Sequence, residues 1–167
     1  MKRWLPYLGI FLGVVLAGYA LFFNDSDEDR IRAKLQELEV AVSMNEAERN
    51  ILFRLARVKK AFAEIFVKKV TYDLPELQAK ERGRTKLATL AASAPRLYRT
   101  MRVDLSGLSI KLDASASSAA AYGKALLSGE RLSGQPQRDS RTVSLRFGKI
   151  DGNWRICLLY TSDAADE

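Results

Sequence analysis

Two hydrophobic patterns divide this chain. From Trp4 to Phe23 apolar residues run almost unbroken and without a charge, WLPYLGIFLGVVLAGYALFF. At about 1.5 Å per residue such a helix spans roughly the 30 Å hydrocarbon core of a bilayer. From Asp29 onward the apolar positions become periodic and predict a folded domain. Ile31, Leu35, Leu38 and Val42 mark a helix over 29–43, with Ser26 and Asp29 spaced to cap it. Asn45 and Glu48 predict the start of a second helix, whose stripe Ile51, Leu52, Leu55, Val58, Phe62 and Ile65 reaches about Phe66.

β-Branched residues then take over in VKKVTYDL, a short strand ended by Pro75. Gly83 opens a third helix from Arg84 to about Ser93, and Pro95 restarts a turn through Leu97 and Met101. From Arg102 the period is two, with a slip at Ser106-Gly107 that marks a bulge or turn. Ala119 to Leu127 and Val143 to Phe147 alternate as further strands, and polar residues 129–140 read as a loop between them. Asp151-Gly152-Asn153 has the composition of a hairpin turn needing positive φ, with Trp154 and Ile156 beginning a last strand. This order predicts an α+β domain, helices packed on a curved antiparallel sheet.

The flanks orient the apolar segment. Met1, Lys2 and Arg3 precede it and NDSDED follows, so residues 1–3 are expected as a cytoplasmic stub and 4–23 as a transmembrane helix. Residues 24–28 form a short linker, and the domain, 29–156, is expected outside the inner (cytoplasmic) membrane, facing the periplasm or exterior. The competing reading is a cleaved signal peptide with a site at Gly18-Tyr19-Ala20, but Leu21-Phe22-Phe23 continue the apolar run past it. Gly9 and Gly13 have a spacing that supports helix pairing, one route to a homodimer.

Residues 157–167, CLLYTSDAADE, resemble a translated sequencing adapter. On that reading the native domain continues past Ile156 into other residues, Cys157 is not native, and Ser162 to Glu167 are expected to be disordered. Leu158 and Tyr160 would keep the alternation of Trp154 and Ile156. The net charge of +7 becomes +7 + 3 = +10 once Asp163, Asp166 and Glu167 are set aside. The chain has no histidine, which removes the usual metal ligand, the usual neutral-pH base and a Ser-His-Asp triad. No metal and no cofactor are expected.

The arrangement resembles the nuclear transport factor 2-like (cystatin-like cone) superfamily. The matching pieces are the opening helix DEDRIRAKLQELEVAVS, the second helix ending AFAEIFVKKVTYDL, Gly83-Arg84 at helix three, and the closing hairpin RTVSLRFGKIDGNWRI. The single span followed by such a cone also resembles inner-membrane assembly proteins of type IV secretion systems. The superfamily resemblance implies a pocket at the open end of a cone, which Phe62, Phe66, Tyr72, Tyr98 and Trp154 would line with apolar surface. It also implies that Trp154 is a structural residue of the hairpin.

Fold does not imply activity. Asp73 and Asp104, with Tyr72, Tyr98 and Tyr122, form no recognisable catalytic constellation, and no catalytic residue is assigned. The expected function is a membrane-anchored extracytoplasmic binding or assembly module without catalysis. It would meet a small apolar ligand or an envelope protein, and not nucleic acid. The alternative is an isomerase- or dehydratase-like enzyme acting on a small apolar substrate in the cone. Arg54, Arg57, Lys59, Lys60, Lys68 and Lys69 form a dense basic run, read as a candidate contact with anionic headgroups or an acidic partner.

Overall fold

The computed structural model describes residues 26–48, 50–75 and 78–163. The expected span, 4–23, lies outside them. Among the described residues no helix is long and apolar enough to cross a membrane.

Helix α1 (Asp27–Val42) starts as its sequence predicts. Ser26 Oγ accepts from the Asp29 amide at 3.1 Å, and the Asp29 carboxylate accepts from the Ser26 amide at 3.2 Å. This reciprocal pair satisfies two otherwise orphaned donors. Ile31, Leu35, Leu38 and Ala41 face the core.

Helix α2 (Ile51–Ile65) begins later than Asn45. Asn45 instead caps a short 3₁₀ turn, Glu46–Glu48, and the α2 cap is Asn50, whose side chain accepts from the amides of Leu52 and Phe53. The buried stripe is Arg54, Val58, Phe62 and Ile65, while Leu52 and Phe53 in the first turn are exposed.

Strand β1 (Phe66–Leu74) and the short β2 (Ala79–Arg82) form a hairpin leading to α3 (Arg84–Ala92). Strands β3 (Tyr98–Asp104), β4 (Ser109–Leu112), β5 (Ser118–Arg131), β6 (Pro136–Ile150) and β7 (Asn153–Asp163) follow. The turn expected at Pro95 forms as a short 3₁₀ helix, Ala94–Arg96, but it does not run on to Met101, because β3 begins at Tyr98. The expected 129–140 loop shrinks to residues 132–135, because the polar residues on either side pair as the ends of β5 and β6. Strand β2, AKER, carries no alternating apolar signal and exists by pairing with β1.

The sheet order is β2-β1-β7-β6-β5-β3, with β4 also paired to β5. The sheet is mixed, not antiparallel as expected: β1 and β7 run parallel. A parallel pair needs a long crossover, and everything from β2 to β6 supplies it.

Residues 157–163 form the second half of β7, between β1 and β6. They continue the ladder with β6 to the pair Arg141–Asp163. Ser162 and Asp163 lie in the strand rather than in a disordered tail, and 164–167 lie outside the described residues. A bulge at Cys157, between the pairs Phe147–Ile156 and Arg146–Leu158, reverses the expected alternation. Leu159 packs on the core and Thr161 is buried, while Tyr160 faces solvent.

The helices cover one face of the sheet. Asp151 and Gly152 adopt positive φ, 50° and 76°, as a tight hairpin turn requires. The turn places Trp154 under the start of α1, where its Nε1 donates to Asp27 Oδ1 at 2.9 Å. Lys149 Nζ donates to the same carboxylate at 2.8 Å and lies 5.4 Å from the Trp154 ring centroid. These hydrogen bonds, Lys149's first, hold the Asp27 carboxyl below its ordinary range.

At the other end of the helices a second cluster acts. The buried Arg54 guanidinium donates to the carbonyls of Val42 at 2.7 Å, Ser43 at 3.1 Å and Ala91 at 3.3 Å. Those carbonyls end α1 and α3, where the helix dipole favours a cation.

We expect Arg54→Met to lower unfolding free energy by about 2–4 kcal/mol, because it strands buried carbonyls. Lys60→Met, at an exposed position, should stay within about 0.5 kcal/mol; urea melts of both variants check this. A second expectation concerns the β4–β5 turn. The backbone amide of Ser118, with Ser115 and Ser117 beside it, lowers the Asp113 carboxyl from 3.8 to about 2. A depressed carboxyl contributes stability that is fully present above its unfolded value and lost as pH falls through the folded one. The Ser117 and Ser118 amide resonances should therefore shift as pH drops through about 2, and Asp113→Asn should remove that transition.

Candidate functional site

The helices and the sheet enclose a cluster of buried aromatic and aliphatic side chains. Phe62, Phe66 and Trp154, expected to line a pocket, are buried with Phe147, Leu145 and Ile31 in one cluster. The Phe62 and Phe66 rings sit 4.7 Å apart in a tilted arrangement. The aromatic residues are core because β1, β7 and α2 converge on them, so their hydrophobic surface meets protein on every side. Trp154 is buried, with its indole N–H donating to Asp27. Tyr98 is only half-buried, at the start of β3, away from this cluster.

Tyr72 is placed differently. It projects from β1 on the helix-covered face, in register with Glu81 on β2 and Leu159 on β7. Between the β1–β2 hairpin and α3 lies an open recess of about 380 Å³, bordered by Tyr72, Glu81, Thr85, Lys86, Thr89 and Leu90. Lys86 pairs with Glu81 at 2.5 Å. Burial, with the Glu81 charge nearby, raises the Tyr72 phenol above its ordinary value. Tyr72 is therefore a neutral donor at physiological pH rather than a base. The recess offers a phenol, two threonine hydroxyls and an ion pair, but its openness does not exclude water.

The two aspartates considered for catalysis have other partners. Asp73 pairs with Lys80 at 2.9 Å, on the opposite face from Tyr72. Asp104 accepts from the Ser106 hydroxyl at 2.6 Å and from its amide. Neither meets a tyrosine hydroxyl in a cavity. Among the described residues no group of acidic or cysteine side chains converges to hold a metal ion.

The basic run separates into two environments. Arg54 is not a surface contact: it is buried in the helix-end cluster, and burial, with Arg57 beside it, lowers its pKa. Arg57 is half-buried, donating to Ser43 O at 3.3 Å and to Glu48 at 3.1 Å. Lys59, Lys60, Lys68 and Lys69 are exposed on α2 and β1. Charge density along a sequence does not distinguish these cases. The available signal was periodicity, because Arg54 falls in line with Val58, Phe62 and Ile65 at helical spacing.

No protein-family model and no curated protein sequence matches the chain. Solved structures do match its architecture. A nuclear transport factor 2-like superfamily protein from Salmonella enterica aligns with TM-score 0.66 and 16% identity, over 84% of this chain and 92% of that one. The chain has the nuclear transport factor 2-like cone fold. A calcium/calmodulin-dependent protein kinase II association domain from Xanthomonas campestris, so named as putative, aligns at 0.65 and 11% identity, over 86% and 91%. A hexachlorocyclohexane dehydrochlorinase aligns at 0.62 and 15% identity, over 81% and 86%. Enzymes and an association domain thus share this fold, and at such identities the likeness concerns fold alone.

A spectrophotometric titration tests the Tyr72 environment. A phenol should ionise above the ordinary tyrosine value in the folded protein, and Tyr72→Phe should remove that late component. A titration unchanged by the substitution would place the raised phenol elsewhere.

Proposed function

We propose that the chain is a membrane-anchored, extracytoplasmic binding or assembly module that performs no catalysis. The observation that carries this reading is the buried aromatic cluster: Trp154, Phe62, Phe66 and Phe147 are core side chains rather than the lining of an open pocket. Anchoring is supported by the uncharged segment 4–23 and the basic residues before it. The segment ends close to Ser26, and the Asp27–Lys149–Trp154 cluster ties the first turn of α1 to the sheet. An anchor arriving there would hold the whole domain near the bilayer with little slack.

The enzyme alternative draws on one observation, the recess beside Tyr72, and on the dehydrochlorinase that shares the fold. Its weakness is chemical. Proton transfer needs a base within reach of a bound substrate, and Glu81, the carboxylate bordering the recess, is held by Lys86.

Two measurements test the proposal. The full chain should sediment with membranes and resist alkaline carbonate extraction. A reporter active only in the cytoplasm, fused after Glu167, should stay silent. Extraction by carbonate, or an active reporter, would overturn the anchored placement. Turnover of an apolar ketone or halocarbon that is lost in Tyr72→Phe with the fold intact would instead establish the enzyme.

A further inference from the structure

The helices cover one face of the sheet and leave the other open. Strand register puts Lys111, Ala120, Arg146, Leu158, Thr71 and Arg82 in one row across that open face. The neighbouring row contains Tyr122, Ser144, Tyr160 and Asp73. At about 4.8 Å between strands, each row is some 20 Å or more long.

Charge on this face is strongly one-sided. Arg82, Lys111, Lys124, Arg138 and Arg146 are all exposed, and none is ion-paired among the described residues. Of the carboxylates on the same face, Asp73 is ion-paired to Lys80 and Glu130 to Arg99 at 3.4 Å, while Asp104 stays ionised under hydrogen bonds from Ser106. Among the cations stand apolar groups of unusual exposure, Tyr122 at 49%, Leu126 at 47% and Tyr160 at 41%. Ala120 and Ser144 keep the surface between them low. Tyrosine and arginine are enriched at the centres of protein interfaces.

We infer that the open sheet face docks an acidic protein surface. The tyrosines and Leu126 supply apolar contact, and the five unpaired cations supply complementarity and steering. A second copy stacked on this face would set cations against cations, a juxtaposition that costs several kcal/mol. The inference rests on reading the chain as a binding module and is independent of the anchor.

The test uses the full chain in nonionic detergent and a fluorescent polyglutamate peptide as probe. Lys111→Glu with Arg146→Glu should weaken binding by roughly tenfold or more. Lys59→Glu with Lys60→Glu, the same charge change on α2, should weaken it by no more than about threefold. Lys111→Gln with Arg146→Gln gives an intermediate loss and serves if the reversal unfolds the domain, as a thermal melt reports. Three outcomes overturn the inference: equal losses in both charge-reversal variants, tighter binding of oligothymidine than of the peptide, or a homodimer that Arg146→Glu disrupts. Binding lost only in the α2 variant rejects this face while leaving a binding module in place. Absence of binding rejects the inference, and the module reading then stands or falls on the turnover measurement.

Discussion

One guanidinium holds the helical layer together. Arg54 sits on α2 but spends its hydrogen bonds on the carboxyl ends of α1 and α3. Neither of those helices has a basic residue in its own last turn. The carbonyl dipoles that a local lysine would have met are met by a neighbour instead. Arg84 repeats the arrangement, leaving α3 to reach Ala63 O and Phe66 O at the end of α2, each at 3.1 Å. Each helix end is thereby satisfied by the helix packed against it. The helices are consequently fixed in relative angle as well as in stability, since a planar fork bonds only in one orientation.

That helical layer is tied to the sheet at both ends. The Asp27 carboxylate joins the first turn of α1 to the β6–β7 hairpin. At the far end, Met44 bridges to Met101, Val103 N donates to Ser43 Oγ, and Leu105 N donates to the Glu39 carboxylate. The buried cluster between these ties is apolar, and these polar contacts lie at its margins. Outside that core the fold presents two surfaces, the exposed helix face and the sheet face away from the helices.

The mixed sheet makes one of those surfaces. Placing β7 between β1 and β6 buries Leu159 and Thr161 inward and turns Tyr160 outward, in register with Ser144 and Asp73. Cations from β2, β4 and β6, far apart in the chain, come to lie in one row. The basic run that was dense in sequence does the opposite, splitting between a buried helix-end cluster and an exposed helix face.

Local signals determined much of the architecture. The Ser26–Asp29 capping box, the α1 stripe, the Gly83 entry to α3 and the Asp151-Gly152 turn are written in neighbouring residues, because capping and positive φ are decided within one turn of chain. The cone resemblance followed from the order of such elements. Tertiary structure decided what depends on distant partners. Strand β2 exists only through β1, the polar ends of β5 and β6 become strand only through each other, and the bulge at Cys157 is set by the register of β6. Whether Arg54 is surface or core, and whether Tyr72 lines a recess while Trp154 fills a core, depends on which segments pack against them. A side chain's burial is a property of its neighbours in space, and the sequence names only its neighbours along the chain.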